Sequence, residues 1–255
     1  MIEADPSLMA RSVNARQGPV RAARTLPRGG ICAKPAAMTQ NAPLTRSGTS
    51  GGSLRDWLVY LFKDHAILRY PWSNFYPVAP GVWRSNHPTH ARLARFKAMG
   101  IKTILNLRGA PNAGYAFEAA SCAALGLDLV TVKLYARAPN GRAALLELLD
   151  AFKTIERPFV MHCKSGADRA GLASALYLMA EEGATVAEAR KMLSLRYLHI
   201  KQSKTGVLDH ILDLFEQRQA KGPIDIRTWI ETEFDEEEVR ASYRASKARS
   251  GKARK

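Results

Sequence analysis

From Val82 onward the chain alternates short apolar runs with segments of helical periodicity, and this alternation limits the fold more than any other feature. Gly81-Val-Trp-Arg-Ser85 reads as a strand or its entry, Pro88 to Met99 as a helix closed by Gly100, and Ile101 to Leu107 as a strand running into Arg108. The pattern continues with a helix over Tyr115 to Leu125, a strand over Leu127 to Leu134, a helix over Arg142 to Ile155 and a strand over Pro158 to His162. Helices are predicted near 169–182, 186–195, 206–218, 225–233 and 236–246, and Thr185 and Glu188 have capping-box spacing. Such an order predicts an α/β fold with a mostly parallel sheet covered by helices on both faces. Open sheets of this kind hold ligands at the carboxyl ends of their strands, which singles out the loops after Leu107, Leu134 and His162.

The third of these loops carries the most chemistry. An apolar strand delivers His162 and Cys163, a five-residue loop follows, and Arg169 opens a helix whose first N–H groups face the loop. Backbone N–H groups from Lys164 through Ser165, Gly166 and Ala167 to Arg169 can curl into an anion nest, with the Arg169 fork on two oxygens of a bound phosphate. The same field favours a thiolate at Cys163, making it a nucleophile rather than a buried thiol. Both residues must address one tetrahedral dianion, and a helix-opening arginine six positions past the cysteine has that reach. Gly166 permits the tight turn and Gly171 a close packing. The bland alternative is a core cysteine and a surface arginine beside an ordinary strand-to-helix turn.

The formal charge of +15 is uneven. Residues 1–52 hold seven basic and two acidic residues, and residues 244–255 hold six basic and none acidic. Most of the basic excess therefore belongs to the ends, and the body is not expected to grip nucleic acid. Residues 1–52, rich in Pro, Gly, Ser and Arg, read as a disordered basic tail, 53–243 as the folded domain and 244–255 as a basic C-terminal tail. A transit peptide or a start placed upstream of Met38 would give the same N-terminal composition. Ser53 to Asp56 has capping-box spacing, and Leu54, Trp57, Leu58, Leu61 and Phe62 share a helical face. That helix either covers the core or, with Lys63 and Arg69, rests on an anionic membrane through 54–69. No apolar stretch is long enough to span a bilayer. Three cysteines, Cys32, Cys122 and Cys163, without a C-x-x-C pair, suit a reducing, cytoplasmic setting and give neither a disulfide framework nor a thiolate zinc site.

His162-Cys-Lys-Ser-Gly-Ala-Asp-Arg-Ala-Gly171 resembles the active loop of the cysteine-dependent protein tyrosine and dual-specificity phosphatase superfamily. The likeness extends upstream through Gly81–Ser85 and Leu93–Arg108 to bacterial dual-specificity-like members, among them a phosphatidylglycerophosphate phosphatase, and covers about 75–215. It implies a four- or five-stranded parallel sheet flanked by helices and hydrolysis through a phosphocysteine at Cys163. Arg169 would clamp the phosphoryl oxygens, and His162 would support the thiolate. The substrate implied is a phosphorylated protein, or else an anionic phospholipid headgroup, with no metal or cofactor. Two departures stand out. Members usually carry Ser or Thr directly after the arginine to help release the sulfur, where this chain has Ala170, leaving Ser165 as a substitute. Many also place an acidic residue on a loop about 30 residues upstream of the cysteine, where Val132 to Pro139 has no carboxylate.

An acid is needed because an alkoxide leaves far more readily once protonated, an effect of roughly 10²–10⁴-fold. Asp168, inside the loop, is the candidate, with a structural ion pair to arginine as its alternative. Asp128 begins a strand and so belongs at the wrong end of the sheet. Lys164, Lys133, Arg137 and Arg142 are expected either to widen the positive field or to be ordinary solvated charges, and Arg108 to orient the loop or bind a second anionic group. Lys201 and Lys204 approach only if the 198–206 turn folds back. His87 and His90 lack the company of a metal site. The competing functions are a sulfurtransferase, which needs no tetrahedral arginine clamp, and a catalytically silent phosphate-binding module.

Overall fold

The computed structural model describes residues 72–111 and 114–252. The amphipathic segment expected at 54–69, the tail at 1–52 and Cys32 lie outside the described residues. In chain order the elements are β1 (Tyr76–Ala79), β2 (Val82–Ser85), α1 (His90–Ala98), β3 (Thr103–Asn106), α2 (Tyr115–Leu125), β4 (Asp128–Thr131), α3 (Arg142–Thr154), β5 (Phe159–His162), α4 (Asp168–Glu181), α5 (Val186–Ala189), α6 (Val207–Gln219), α7 (Ile226–Thr232) and α8 (Glu236–Lys252). Short 3₁₀ turns at Arg190–Met192, Leu195–Tyr197 and Lys204–Gly206 link α5 to α6.

The five strands form one sheet in the order β1-β2-β5-β3-β4, parallel except for the antiparallel edge pair β1–β2. This is the α/β architecture expected from the alternation. β3 and β5 are buried at every position, as strands covered on both faces must be, which is why they read as continuous apolar runs. Their side chains divide by alternation: Leu105, Phe159 and Met161 enter the core under α3, α4, α6 and α7, whereas Ile104 and Val160 join Leu93, Phe96 and Cys122 under α1 and α2. β1 was not evident in the sequence because Tyr-Pro-Val-Ala is half exposed and carries Pro77, tolerated only at a sheet edge.

Register decides where the site lies. His162 pairs with Ser85 on one side and Asn106 on the other, so β2, β5 and β3 end at one level. The chains leaving them, through Asn86 and His87, Cys163, and Leu107 and Arg108, therefore emerge together. Asp128 pairs with Thr103 at the opposite end of the sheet, which removes it from the chemistry.

The α5 segment differs from expectation. Its Thr185–Glu188 capping box forms, but the helix stops at Ala189 and tightens into a 3₁₀ turn instead of reaching Leu195. At the other end α8 runs on to Lys252 rather than stopping at Ser246, with Val239 and Tyr243 packed against the main core. No helix among the described residues is long and apolar enough to cross a membrane.

Candidate active site

Cys163 follows β5 directly and is buried beneath a loop that ends in α4. What shapes that loop is the fate of its carbonyls. Lys164 O accepts from His87 N–H at 3.3 Å. Ser165 O accepts from Asn74 Nδ2 at 3.0 Å, and Gly166 O and Ala167 O accept from Arg84 Nη2 at 2.6 and 3.0 Å. Four successive carbonyls are thus tied to the surrounding framework. In a trans peptide C=O and N–H point opposite ways, so the N–H groups of Ser165, Gly166, Ala167 and Asp168 turn away from that framework, the Ala167 N–H toward the Ser165 hydroxyl at 3.4 Å. The amino end of α4 adds its partial positive charge to the same place.

Arg84 is the residue that sequence reasoning missed here. It lies in β2, is fully buried, and its Nη1 also donates to Met192 O at 2.7 Å while the guanidinium stacks 4.0 Å from the Tyr197 ring centroid. Burial lowers its pKa to about 10, opposed by the nearby Cys163, Tyr197 and Asp168. It remains a cation at neutral pH, fixed behind the loop. Its only signal in the sequence is a lone charge within a strand otherwise fit for the core.

The loop glycines act as expected. Gly166 has φ +74°, and a Cβ there would stand 2.8 Å from backbone atoms of Ser85 and Asn86. A Cβ on Gly171 would meet Leu193 Cδ2 at 2.7 Å and Met192 O at 2.9 Å. The Ser165 hydroxyl accepts from Ala167 N at 3.4 Å, placing it within the loop. Ala170 is buried and offers no hydroxyl; Ser174 Oγ, one turn later, donates to Ala170 O at 2.6 Å.

His162 sits behind Cys163 rather than in the loop. It is fully buried, with Nε2 2.5 Å from Glu118 Oε1, Nδ1 3.4 Å from Cys163 O, and its ring edge-on to His87. The other Glu118 oxygen accepts from Asn106 Nδ2 at 2.6 Å. Arg108, at the end of β3, brings Nη1 to 3.3 Å from His87 Nδ1. His87, Glu118 and His162 hold one donor atom each within 4.8 Å of one another, a possible metal group not foreseen from the His87/His90 spacing. Their spacing does not suit one tetrahedral ion. Ligands of one tetrahedral metal stand roughly 3.3 Å apart, wider than the 2.5 Å between His162 and Glu118, and Arg108 puts a cation beside the group.

Asp168 is the first residue of α4 and is partly exposed at the loop. Its Oδ1 lies 2.8 Å from Nδ1 of His199, whose Nε2 lies 2.7 Å from Oδ2 of the buried Asp209. Burial alone would lower the His199 pKa, but hydrogen bonds to both carboxylates outweigh it and raise the value to about 9. An imidazolium is therefore held between two carboxylates at neutral pH. Neither His199 nor Asp209 was visible from spacing, since they stand 31 and 41 residues past Asp168 in separate elements.

The remaining cations separate. Arg142 donates to Glu231 O and Phe234 O, fastening α3 to the α7–α8 turn rather than facing the loop. Lys133 lies over the Tyr135 ring, and Lys201 pairs with Asp213 at 3.7 Å. Arg137 and Lys204 line a separate cavity of about 670 Å³ with Arg240, Arg244 and Lys247.

Residues 70–183 match the tyrosine phosphatase family model. No curated protein matches the chain. Among solved structures, TpbA of P. aeruginosa, in complex with pTyr, is 19% identical with a TM-score of 0.44, covering 60% of this chain and 99% of its own. The core catalytic domain of the PP-IP phosphatase SIW14 from S. cerevisiae is 15% identical with a TM-score of 0.44, covering 69% and 94%.

Proposed function

We propose that this chain, a member of the cysteine-dependent, tyrosine-phosphatase-like superfamily, is a phosphomonoester hydrolase working through a phosphocysteine. One observation carries the reading: the carbonyls of Lys164, Ser165, Gly166 and Ala167 are all held by donors of the surrounding framework, which leaves the opposite side of the loop to the N–H donors that an anion beside Cys163 would need. Preorganised donors of this kind stabilise the equatorial oxygens of a transferring phosphoryl group at no cost of reorganisation.

In the first step Cys163 Sγ attacks phosphorus in line, a P–S bond forms and the P–O ester bond breaks. Arg169 and the loop amides neutralise the three equatorial oxygens, and Asp168 passes to the departing oxygen the proton it takes from the His199 imidazolium. In the second step water attacks phosphorus, Asp168 takes the water proton, and the sulfur leaves as thiolate with release of inorganic phosphate. His162, fixed by Glu118, positions the strand end that presents Cys163. Arg108 and Lys164 contribute positive charge at the mouth. With Ala170 in place of a hydroxyl, release of the sulfur rests on Ser165.

Phosphotyrosine or another phosphorylated protein side chain is the first substrate class to test. A phospholipid headgroup such as phosphatidylglycerophosphate is the second, favoured by exposed aliphatic residues close to His199. The test compares inorganic phosphate release from a phosphotyrosyl peptide and from phosphatidylglycerophosphate by the wild type, Cys163→Ser and Asp168→Asn. Both variants should lose turnover, and the preferred wild-type substrate identifies the class. Binding of phosphopeptide without any turnover by the wild type would instead indicate a silent module.

A further inference from the structure

Between α5 and α6 the chain exposes three aliphatic residues within six positions: Leu195 is 72% exposed, Leu198 60% and Ile200 50%. Single exposed leucines are ordinary, but three together on one turn are not. The backbone around them is firmly held. Tyr197 is buried under the Arg84 guanidinium, and its carbonyl accepts from Asn74 Nδ2 at 3.1 Å. His199 N–H donates to Ser194 O at 3.1 Å, and its ring is locked between Asp168 and Asp209. The turn is a rigid knuckle whose alternate residues point inward and outward.

Leu198 sharpens the point. It adopts φ +62°, the left-handed region that suits glycine or asparagine and that a leucine rarely occupies. Folding gains little from a leucine there, because its side chain is mostly in water. An asparagine would fit the same backbone with less strain, so a partner outside the domain has to account for the aliphatic group.

The flanking charges say what kind. Arg196, Lys201 and Lys204 interleave with or follow the three aliphatics, with Asp213 the counter-charge to Lys201. Beyond Lys204 the surface continues into the cavity lined by Arg137, Arg244 and Lys247. Aliphatic tips backed by cations complement an interface whose outer layer is anionic and whose inner layer is hydrocarbon.

We propose that the 195–204 knuckle is a membrane-docking surface that inserts Leu195, Leu198 and Ile200 into an anionic bilayer while Arg196, Lys201 and Lys204 engage headgroup phosphates. Because His199 lies within the knuckle and bonds Asp168, docking would bring the catalytic loop to the lipid surface; that consequence rests on the phosphatase reading, whereas docking itself does not.

The test is cosedimentation of the full-length chain with vesicles of phosphatidylcholine alone and of phosphatidylcholine with phosphatidylglycerol. The wild type is expected to bind the anionic vesicles and lose them with added salt. Leu195→Ser/Leu198→Asn/Ile200→Ser should bind at least tenfold more weakly with an unchanged thermal midpoint, and Lys201→Ser/Lys204→Ser should lose the salt-dependent part. Equal binding by wild type and the triple variant would overturn the proposal. So would a wild type that ignores vesicles but self-associates through this patch in sedimentation velocity, which would make it a protein interface. Binding is read without turnover, so an inactive but vesicle-bound protein would fault the catalytic reading alone.

Discussion

His199 Nδ1 lies 2.8 Å from Asp168 Oδ1, so the carboxylate proposed as general acid is one end of an Asp–His–Asp chain closed by Asp209. A proton on His199 is therefore one hydrogen bond from the group that must supply a proton to the leaving oxygen. Asp168 can take that proton from Nδ1 and hand it to the leaving oxygen, while Asp209 keeps the ring oriented. His199→Gln should consequently lower kcat about 10–100-fold on alkyl phosphates and much less on an aryl phosphate whose leaving group needs no proton. An equal loss on both would assign His199 a purely structural role.

The same chain sets a dependence of stability on pH. The His199 pKa is raised to about 9 in the folded protein against 6.5 for an unperturbed histidine, so its contribution is complete below about pH 6.5 and disappears as pH rises through 9. Asp168 and Asp209 are the charged groups facing it, from α4 and α6. The difference between wild type and His199→Gln in denaturant unfolding should shrink by roughly 2–3 kcal/mol between pH 6 and pH 10. A pH-independent difference would show that the imidazolium form is not what the fold holds.

Arg84 is expected to matter as much as any residue of the loop, although it touches no substrate. Arg84→Met leaves the carbonyls of Gly166, Ala167 and Met192 without their donor, a loss of about 3 kcal/mol or more. Arg84→Lys should not rescue it, because a compact ammonium lacks the planar fork that spans two separate backbone segments. Phosphate binding measured by calorimetry should fall with stability in both variants.

Gly166→Ala tests the loop by steric means. Its Cβ would strike the backbone of Ser85 and Asn86, which cannot yield as a side-chain tip can. Gly100 provides the control, with φ +84° and nothing within 4 Å of where a methyl group would sit. Gly100→Ala should cost only the left-handed penalty of about 1–2 kcal/mol, whereas Gly166→Ala should cost more and abolish phosphate binding.

Thiol reactivity separates the two described cysteines. Burial, then the neighbouring Glu118 charge, push the Cys122 pKa up to about 12, so it should resist iodoacetamide near neutral pH. Cys163, at the base of the loop, should be alkylated and be protected by inorganic phosphate, as read by peptide mass spectrometry. Phosphate-insensitive labelling at Cys163 would place the anion elsewhere.

Much of this was legible in the chain. The parallel strands announce themselves because burial on both faces demands apolar runs, and the loop from Cys163 to Arg169 is contiguous, so its residue types can be read together. The supporting residues were not legible, for the same physical reason in each case. Arg84, Glu118 and His199 reach the site only through strand register or a returning turn, and no local pattern records contacts across 31 to 83 positions. Arg142 shows the reverse: it was expected either to widen the positive field or to be a solvated charge, and the fold instead holds it on the carbonyls of Glu231 and Phe234.

The central claim is a covalent bond between phosphorus and the sulfur of Cys163. Asp168→Asn supplied with p-nitrophenyl phosphate should form that bond normally, since the leaving group needs no acid, and hydrolyse it slowly for want of a base. Acid quench during turnover followed by peptide mass spectrometry should find a phosphoryl group on Cys163, and Cys163→Ser should release no phosphate. A bare Cys163 peptide together with undiminished turnover by Cys163→Ser would contradict the account.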